Sequence, residues 1–464
     1  MANPSVIKTP NDYELANGDV VVSLYDLDQD GGQLAIQIIE GINIISTIRQ
    51  YPNLVGYYHF NINKILQSQL KLQLNPEGQS PTLPLNIGND TTFDYRISYG
   101  YINASGVYVP SSTLATVFIG INGTKLYWET DWDITDTADG LALIPDVSDV
   151  VGVNTTNTFQ VASTDNHIRP TRLGSTITDG KPTWLTNSMV VRDIYINEQD
   201  YYNLSFFNNW TGTPIASYNG INGFFFDAYN SAGTSILNTE TENLTSNGGG
   251  PNIAFNSETD PTGDYRMIGA KCGYNNSSIS GLTGLNHYYV AAWAWSVDPD
   301  VYNSKTVISN VYRFNILPCE GKDYPIIDVA WINSYGQYDY FSFQKRSVET
   351  NNMSRTEYQG VPSSWSSPSV GVNTWDRGKG VFATKVEETY TATTRYIDEY
   401  DSEFLKYLYR SPSVMVRFAG DTTWTPVVLT SNTWDEKTPQ NQGKQLFQHS
   451  ISFKTAWNPQ IQNG

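Results

Sequence analysis

One stretch of the chain has the spacing of a calcium-binding loop. Asp26, Asp28 and Asp30 place three carboxylates at alternate positions. Gly31 follows where such a loop turns. The twelfth position is Gln37 rather than a bidentate Glu, and the flanking sequence alternates like strands rather than like the helices of an EF-hand. We therefore interpret the stretch as a polar hairpin turn and predict no metal site.

A second acidic stretch surrounds a tryptophan and has the residue types of a glycosidase site. Its carboxylates, around Trp132, are Asp131, Asp133, Asp136 and Asp139. Glycosidases need two carboxylates flanking the bond that they cleave, one as acid and one as base or nucleophile. Such pairs usually come from separate strands that meet in a cleft, whereas these four lie in one local run. We interpret the run as a solvated acidic loop and predict no catalytic residue.

Histidine and cysteine are too scattered to indicate a metal or nucleophile site. The four histidines are His59, His167, His287 and His449. The sequence contains no His-x-x-x-His or Cys-x-x-Cys spacing and no Gly-x-Ser-x-Gly elbow. Cys272 and Cys319 allow one bridge but no disulfide framework. The sequence therefore predicts no metal and no cofactor.

Pairs of aromatic residues at alternate positions suggest either sugar binding or core packing. Trp293 and Trp295 share one face of a predicted strand, and so do Tyr338 and Tyr340. Exposed rings in this arrangement stack on saccharides, whereas buried rings fill a core. We favour the core interpretation for both pairs.

Composition and charge narrow the class of protein. Of 464 residues, 16% are charged and 13% are aromatic, against about 25% charged in a typical domain. The net charge of −18 argues against binding nucleic acid through its phosphates. Residues 321–464 hold 14 basic and 15 acidic residues, so the first 320 hold 14 and 31. The near-neutral end suggests a docked module, or simply a domain with a different surface.

The pattern along the chain predicts many short strands and few helices. Residues 64–71 fit a short helix, and residues 75–89 are rich in Pro and Gly and predict a loop or linker. A hairpin is predicted from strands at 326–331 and 338–343. A helix fits 398–409, where acidic residues crowd the start and basic residues the end.

These elements predict a mainly β fold. We expect tandem antiparallel β-sandwich (Ig-like) domains and a C-terminal α+β module that contains one helix. The predicted divisions are an N-terminal β domain at 1–165, a connector at 166–210, a β-sandwich domain at 211–317 and a C-terminal docking module at 318–464.

Several short motifs carry a resemblance to a known family. The connector holds Trp184-Leu185-Thr186-Asn187, followed by Leu204-Ser205-Phe206. The last third holds Trp331-Ile332-Asn333, then Ser411-Pro412, then Pro426-Val427-Val428. In this order the motifs resemble the multi-β-domain tail and neck ring proteins of tailed bacteriophages, crAss-like phages and their relatives.

The resemblance implies a non-enzymatic structural component of the virion, located in the tail or neck. It implies a homo-oligomeric ring or tail barrel in contact with other virion proteins, and it carries over no catalytic residue. Head-to-tail contacts between copies generate such rings. An acidic surface near the DNA channel would repel DNA without binding it specifically.

Two other functions remain open at the level of sequence, namely a receptor- or glycan-binding tail protein (an adhesin) and a glycan depolymerase.

No basic-then-apolar leader follows Met1, so we expect synthesis in the host cytoplasm without a signal peptide. No apolar run approaches the roughly 18 residues of a membrane span.

Overall fold

The structure of the protein is a computed structural model. It describes residues 4–11, 13–26, 32–71, 76, 85–88, 91–123, 194–197, 200–207, 223–229, 235–241, 267–274, 285–295, 305–307, 312–317, 324–333, 336–360, 378–397, 399–431, 433–434, 446–456 and 460–463. Over these residues the chain is mainly β, as the sequence predicts.

The described strands are β1 Ser5–Lys8, β2 Tyr13–Leu15, β3 Val21–Tyr25, β4 Leu34–Glu40, β5 Asn43–Gln50, β6 Tyr57–Asn61, β7 Leu85–Gly88, β8 Thr92–Ile102, β9 Tyr108–Thr113, β10 Phe118–Ile121, β11 Ile194–Asn197, β12 Asn203–Phe207, β13 Gly223–Tyr229, β14 Ser235–Thr241, β15 Met267–Lys271, β16 His287–Trp295, β17 Lys305–Val307, β18 Tyr312–Leu317, β19 Ile327–Ile332, β20 Tyr338–Phe343, β21 Val348–Gln359, β22 Lys379–Thr393, β23 Val414–Phe418, β24 Thr425–Leu429, β25 Ser450–Thr455 and β26 Gln460–Asn463. The described helices are α1 Asn63–Gln69 and α2 Glu399–Arg410. Neither of these helices is long and apolar enough to cross a membrane.

The chain divides into two compact units. The first comprises Met1–Cys319 together with Trp331–Phe341, and the second comprises Glu320–Ala330 together with Ser342–Gly464. The four-part division predicted from the sequence stays a prediction, because its connector lies largely outside the described residues.

A β-sandwich forms the start of the first unit. One sheet has the strand order β1-β3-β6, and the other has the order β2-β10-β8-β4-β5 with β9 on β8. Alternate residues of β8, including Phe93, Tyr95 and Ile97, point into the core between the sheets. Helix α1, which the sequence predicts at 64–71, adds the buried side chain of Leu66 to the same core.

A second pair of sheets completes the described part of the first unit. One has the order β11-β18-β16-β13-β14 with β17 on β16, and the other has the order β12-β15-β7. Aromatic rings pack among their strands: Tyr288 stacks on Phe314 at 4.9 Å between ring centroids, and Tyr202 meets Phe314 edge-on at 5.2 Å. The buried thiol of Cys272 is free, and burial raises its pKa, so this cysteine behaves as a small apolar side chain.

Two details depart from the sequence prediction. Strand β7 lies inside the segment predicted as a loop and pairs with β15. Local Pro and Gly content could not anticipate this pairing, because β15 is distant in sequence. Most strand pairs are antiparallel as expected, but β2 pairs with β10 and β11 pairs with β18 in parallel.

A sheet with the order β20-β19-β23-β24-β25-β22-β21, and with β26 on β22, contains the strands of the second unit. Its residues Trp331–Phe341, at the end of β19 and in β20, belong to the first unit. Helix α2 buries one face through Phe404, Leu405 and Leu408. Its acidic start and Arg410 at its end complement the helix dipole, and Pro412 follows its last turn. The predicted C-terminal α+β module with one helix is confirmed in this unit.

The predicted hairpin is formed by β19 and β20, and its turn is organised by polar side chains. Asn333 Oδ1 accepts a hydrogen bond from the backbone N–H of Gln337 at 3.0 Å, and Asn333 Nδ2 donates to Asp339 Oδ1 at 3.1 Å. Gly336 has φ +83°, in the left-handed region that favours glycine. A Cβ at this position would lie 2.8 Å from the carbonyl oxygen of Asn122.

Candidate functional site

The residues that could suggest calcium or glycosidase chemistry do not form such a site in the described structure. Asp26 is buried at the end of β3, and residues 27–31 and the acidic run at 131–139 lie outside the described residues. Gln37 donates through Nε2 to Thr47 Oγ1 across the β4–β5 hairpin, at 3.3 Å. Among the described residues, no group of three or more His, Cys, Asp or Glu side chains is arranged to hold a metal ion.

Three of the four histidines lie in the described part of the chain, in three separate places. His59 Nδ1 is 2.8 Å from Ser23 Oγ in the first sandwich. His287 is buried, and its ring meets Tyr289 edge-on at 5.4 Å. His449 Nε2 is 2.8 Å from Ser402 Oγ in the second unit. His167 lies outside the described residues.

One of the two aromatic pairs, Tyr338 and Tyr340, fits the core interpretation. Tyr338 and Tyr340 are buried, and the hydroxyl of Tyr340 donates to the carbonyl oxygen of Pro76. Rings in this position cannot stack on a sugar. Trp293 and Trp295 lie on β16 between β13 and β17, but their side chains lie outside the described residues.

The second unit carries an exposed two-stranded ribbon, which we define as β21 with its partner residues of β22. The pairing runs from Val348 opposite Thr391 to Gln359 opposite Lys379. All 12 residues of β21 are exposed, and at the usual rise they extend about 40 Å. On its other side β22 pairs with β25 at Thr389–Thr393 and with β26 at Ala383–Val386. The part of the ribbon at Lys379–Phe382 therefore has two strands in the described structure.

Large apolar side chains stand exposed on this ribbon. Met353 and Phe382 are each 59% exposed, and Tyr358 is 52% exposed. Tyr358 lies across Gly380 of the opposite strand, where an added Cβ would be 2.7 Å from its ring. A long edge strand with apolar side chains is a template for pairing with another chain. At Lys379–Phe382, where it has only two strands in the described structure, the ribbon is also marginally stable alone, so this geometry favours a covering partner.

The base of the ribbon is anchored by aromatic contacts. The Tyr390 ring packs against Phe418 at 4.9 Å and against Phe453 at 5.7 Å. Lys454 donates to Glu387 at 2.8 Å, and this hydrogen bond lowers the pKa of the Glu387 carboxyl. The ribbon is therefore fixed at one end, and its strand β21 is exposed along its length.

A buried ion pair joins three strands of the same unit. Asp328 on β19 accepts hydrogen bonds from Ser342 on β20 and from Arg417 on β23, each at 2.6 Å. The Arg417 guanidinium also lies 5.2 Å from the centre of the Trp424 ring. Burial raises the pKa of Asp328, while the bonds from Ser342 and Arg417 oppose that rise.

A groove of about 560 Å³ is the second candidate surface, and it lies between the end of α2 and β24. The residues that line it are Lys406, Tyr409, Arg410, Ser411, Pro412, Val414, Val427, Val428, Leu429, Ser431 and Trp434. Its volume is in the range of small-molecule sites, roughly 300–1,000 Å³.

The Trp434 ring is held by its neighbours on two sides. Tyr409 meets it edge-on at 5.1 Å, and His449 stacks on it at 4.3 Å. His449 is in turn held by the Ser402 hydroxyl. Burial raises the pKa of the Tyr409 hydroxyl. The groove thus contains a preorganised aromatic ring and two cations of α2, Lys406 and Arg410.

Sequence reasoning missed both surfaces. The ribbon strand β21 is polar at most positions, so no apolar period marks it. Its only signal is the isolated apolar residues Met353 and Tyr358. The groove combines α2, β24 and Trp434, which are separated along the chain. Its only local signal was the basic end of α2.

These features define a mainly β protein with an exposed ribbon and a groove lined by aromatic and basic residues. No family model and no curated protein matches the chain. One similar solved structure is a tetra-tandem repeat in the extending region of a large adhesion protein. It has 10% identity and a TM-score of 0.18, and the match covers 92% of this chain and 78% of that chain. The functional argument rests on the residues of this chain.

Proposed function

We propose that the protein is a non-enzymatic structural subunit of a tailed-phage virion, in a tail or neck ring or a tail barrel. The single observation that carries this proposal is the exposed ribbon with its apolar side chains. Such a ribbon is stabilised when a neighbouring protein covers its edge and its apolar groups. The motif resemblance in the last third of the chain supplies the kind of assembly.

The first unit offers a different set of exposed apolar residues. They are Ile42, Ile44, Tyr51, Leu54 and Val55, at the two ends of β5 and in the turns beyond it. A subunit of a closed ring uses two unlike surfaces, one for each neighbour. The ribbon and the β5 ends are two such unlike surfaces on one chain, which supports a homo-oligomeric ring in contact with other virion proteins.

Quantitative mass spectrometry of purified phage particles tests the virion role. We expect the chain at several copies per particle, near a multiple of the ring symmetry. Its absence from particles would overturn the proposal.

Ribbon variants test the role of the surface itself. The double variant M353K/F382K places two charges on the apolar positions, and N352K/T356K places the same charges on exposed polar positions of β21. We expect at least about tenfold fewer copies per particle for the first, because the loss of even one interface anchor costs about 2 kcal/mol. We expect wild-type levels for the control. Equal incorporation of both variants would exclude the ribbon as an assembly surface.

A receptor- or glycan-binding tail protein is the second candidate function, and the groove beside Trp434 is the observation that favours it. A glycan array on the full chain tests this second role, since a glycan-dependent signal supports it and the absence of any signal contradicts it. Either outcome leaves the assembly role to the particle and ribbon experiments.

A further inference from the structure

We infer that the groove between α2 and β24 binds an acidic saccharide, a sugar that carries a carboxylate. This inference deepens the second candidate function, on which it rests, and it is separate from the assembly role, because the groove and the ribbon share no residue.

The charge of the groove favours an anionic ligand. Lys406 and Arg410 both line it, and none of its described lining residues is acidic. Two of the described lining residues are therefore cationic, on a chain with a net charge of −18. Arg410 also complements the C-terminal end of the helix dipole. An arginine beside a lysine matches a carboxylate, which it can bind through two parallel hydrogen bonds.

The aromatic ring of the groove favours a cyclic ligand with an apolar face. Trp434 is fixed by Tyr409 and His449, so it loses little conformational freedom when a ligand stacks on it. The C–H face of a pyranose ring is the apolar surface that such a ring accepts. Val427 and Val428 extend the apolar part of the lining.

A hydroxyl group in the lining can bind the polar edge of a sugar. Ser431 Oγ accepts a hydrogen bond from the backbone N–H of Ser452 at 2.8 Å. This leaves the Ser431 O–H to donate to a hydroxyl or a carboxylate of the ligand. Ring, cations and hydroxyl together match a sugar acid better than a nucleic acid, which needs an extended track of cations along its backbone.

Galacturonic acid and galactose are the matched probes, because they differ only in the carboxylate at the sixth carbon. Binding to the full chain is measured by ligand-observed NMR titration. We expect galacturonate to bind at least about tenfold more tightly than galactose, since a charge-assisted hydrogen bond separates the two. Equal affinities, or binding of neither sugar, would overturn the proposal.

Variants locate the binding. Arg410→Gln changes an exposed side chain and is expected to reduce galacturonate affinity about tenfold, towards that of galactose. Trp434→Ala is expected to abolish binding of both sugars. Trp434→Phe keeps an aromatic ring and is expected to retain sugar binding. Arg49→Gln removes the same charge from exposed strand β5 of the first unit and is the control, expected to have no effect.

Two results of these variants would also contradict the assignment. An equal loss of galacturonate affinity in R49Q and R410Q would mean that binding depends on the net charge of the protein rather than on the groove. Tighter binding of adenosine monophosphate than of galacturonate would replace the saccharide with a nucleotide as the ligand.

Discussion

At the scale of the residue, the buried pair of Asp328 and Arg417 organises the second unit. The side chain of Arg417 is 11% exposed and that of Asp328 is 12% exposed, so water screens the two charges little. Each charge was removed from solvent and is compensated mainly by the other and by Ser342. Such a pair contributes little to stability when it is compared with an apolar replacement of both residues. Removing one partner is costly, because it leaves the other charge buried and uncompensated.

We therefore predict that Asp328→Ala destabilises the second unit by about 3–5 kcal/mol. The measurement is hydrogen exchange by mass spectrometry, followed in the peptide that covers β23. Glu387→Ala is the matched control, because it removes a carboxylate from the exposed pair with Lys454 and should change exchange little. If the two variants gave the same small change, Asp328 would not be an essential partner of Arg417.

At the scale of the element, the turn between β19 and β20 depends on one glycine. Gly336 has positive φ, and the space around its Cα is filled by the backbone of Asn122 and the side chain of Thr91. Two effects therefore make any substitution of Gly336 destabilising. The backbone conformation is strained for L-residues, and the added Cβ meets a carbonyl oxygen that cannot move freely.

Gly336→Ala separates these two causes when it is compared with Gly106→Ala. Gly106 also has positive φ, at +75°, but no atom lies within 4 Å of its added Cβ. We expect Gly106→Ala to cost about 1–2 kcal/mol from backbone strain alone, and Gly336→Ala to cost more. Thermal unfolding of the two variants gives the comparison, and equal losses would show that the Asn122 contact is not limiting.

The sequence predicted elements that have local signals, such as helix α2, and missed elements that lack them, such as strand β21. Helix α2 has an acidic start, a basic end and Pro412, so propensity and dipole agree on its bounds. Strand β21 has no alternation, because neither of its faces is buried, and burial on one face is what creates a period of two. The exposure that makes β21 a candidate surface is the same property that concealed it.

At the scale of the whole molecule, the charge distribution separates the chain into an acidic part and a near-neutral part. The first 320 residues carry a net charge of −17 (14 basic against 31 acidic) and the rest −1 (14 against 15). Binding to a DNA backbone requires clustered cations that release its counterions. An acidic protein beside a DNA channel would instead repel DNA.

We predict that the full chain does not retard duplex DNA in a mobility-shift assay, even at about 50 mM salt, where such electrostatic binding is strong. The assay is repeated at higher salt as a control for the origin of any shift. A shift that disappears with added salt would contradict the prediction and would indicate a cationic surface on the assembled fold.

The sequence alone determined the fold class, the C-terminal module with its helix, and the β19–β20 hairpin. These follow from local propensity, capping and the periodicity of apolar residues, which act between near neighbours. The core role of Tyr338 and Tyr340 also followed from their place on one face of a strand.

Only the tertiary structure decided which distant segments meet. It paired β7 with β15, and it brought Asp328, Ser342 and Arg417 together from three strands. It also placed Trp434 beside Tyr409 and next to the cations at the end of α2. Contacts of this kind depend on how elements pack in space, and a single sequence contains no local signal for the partner of a strand or the far wall of a groove.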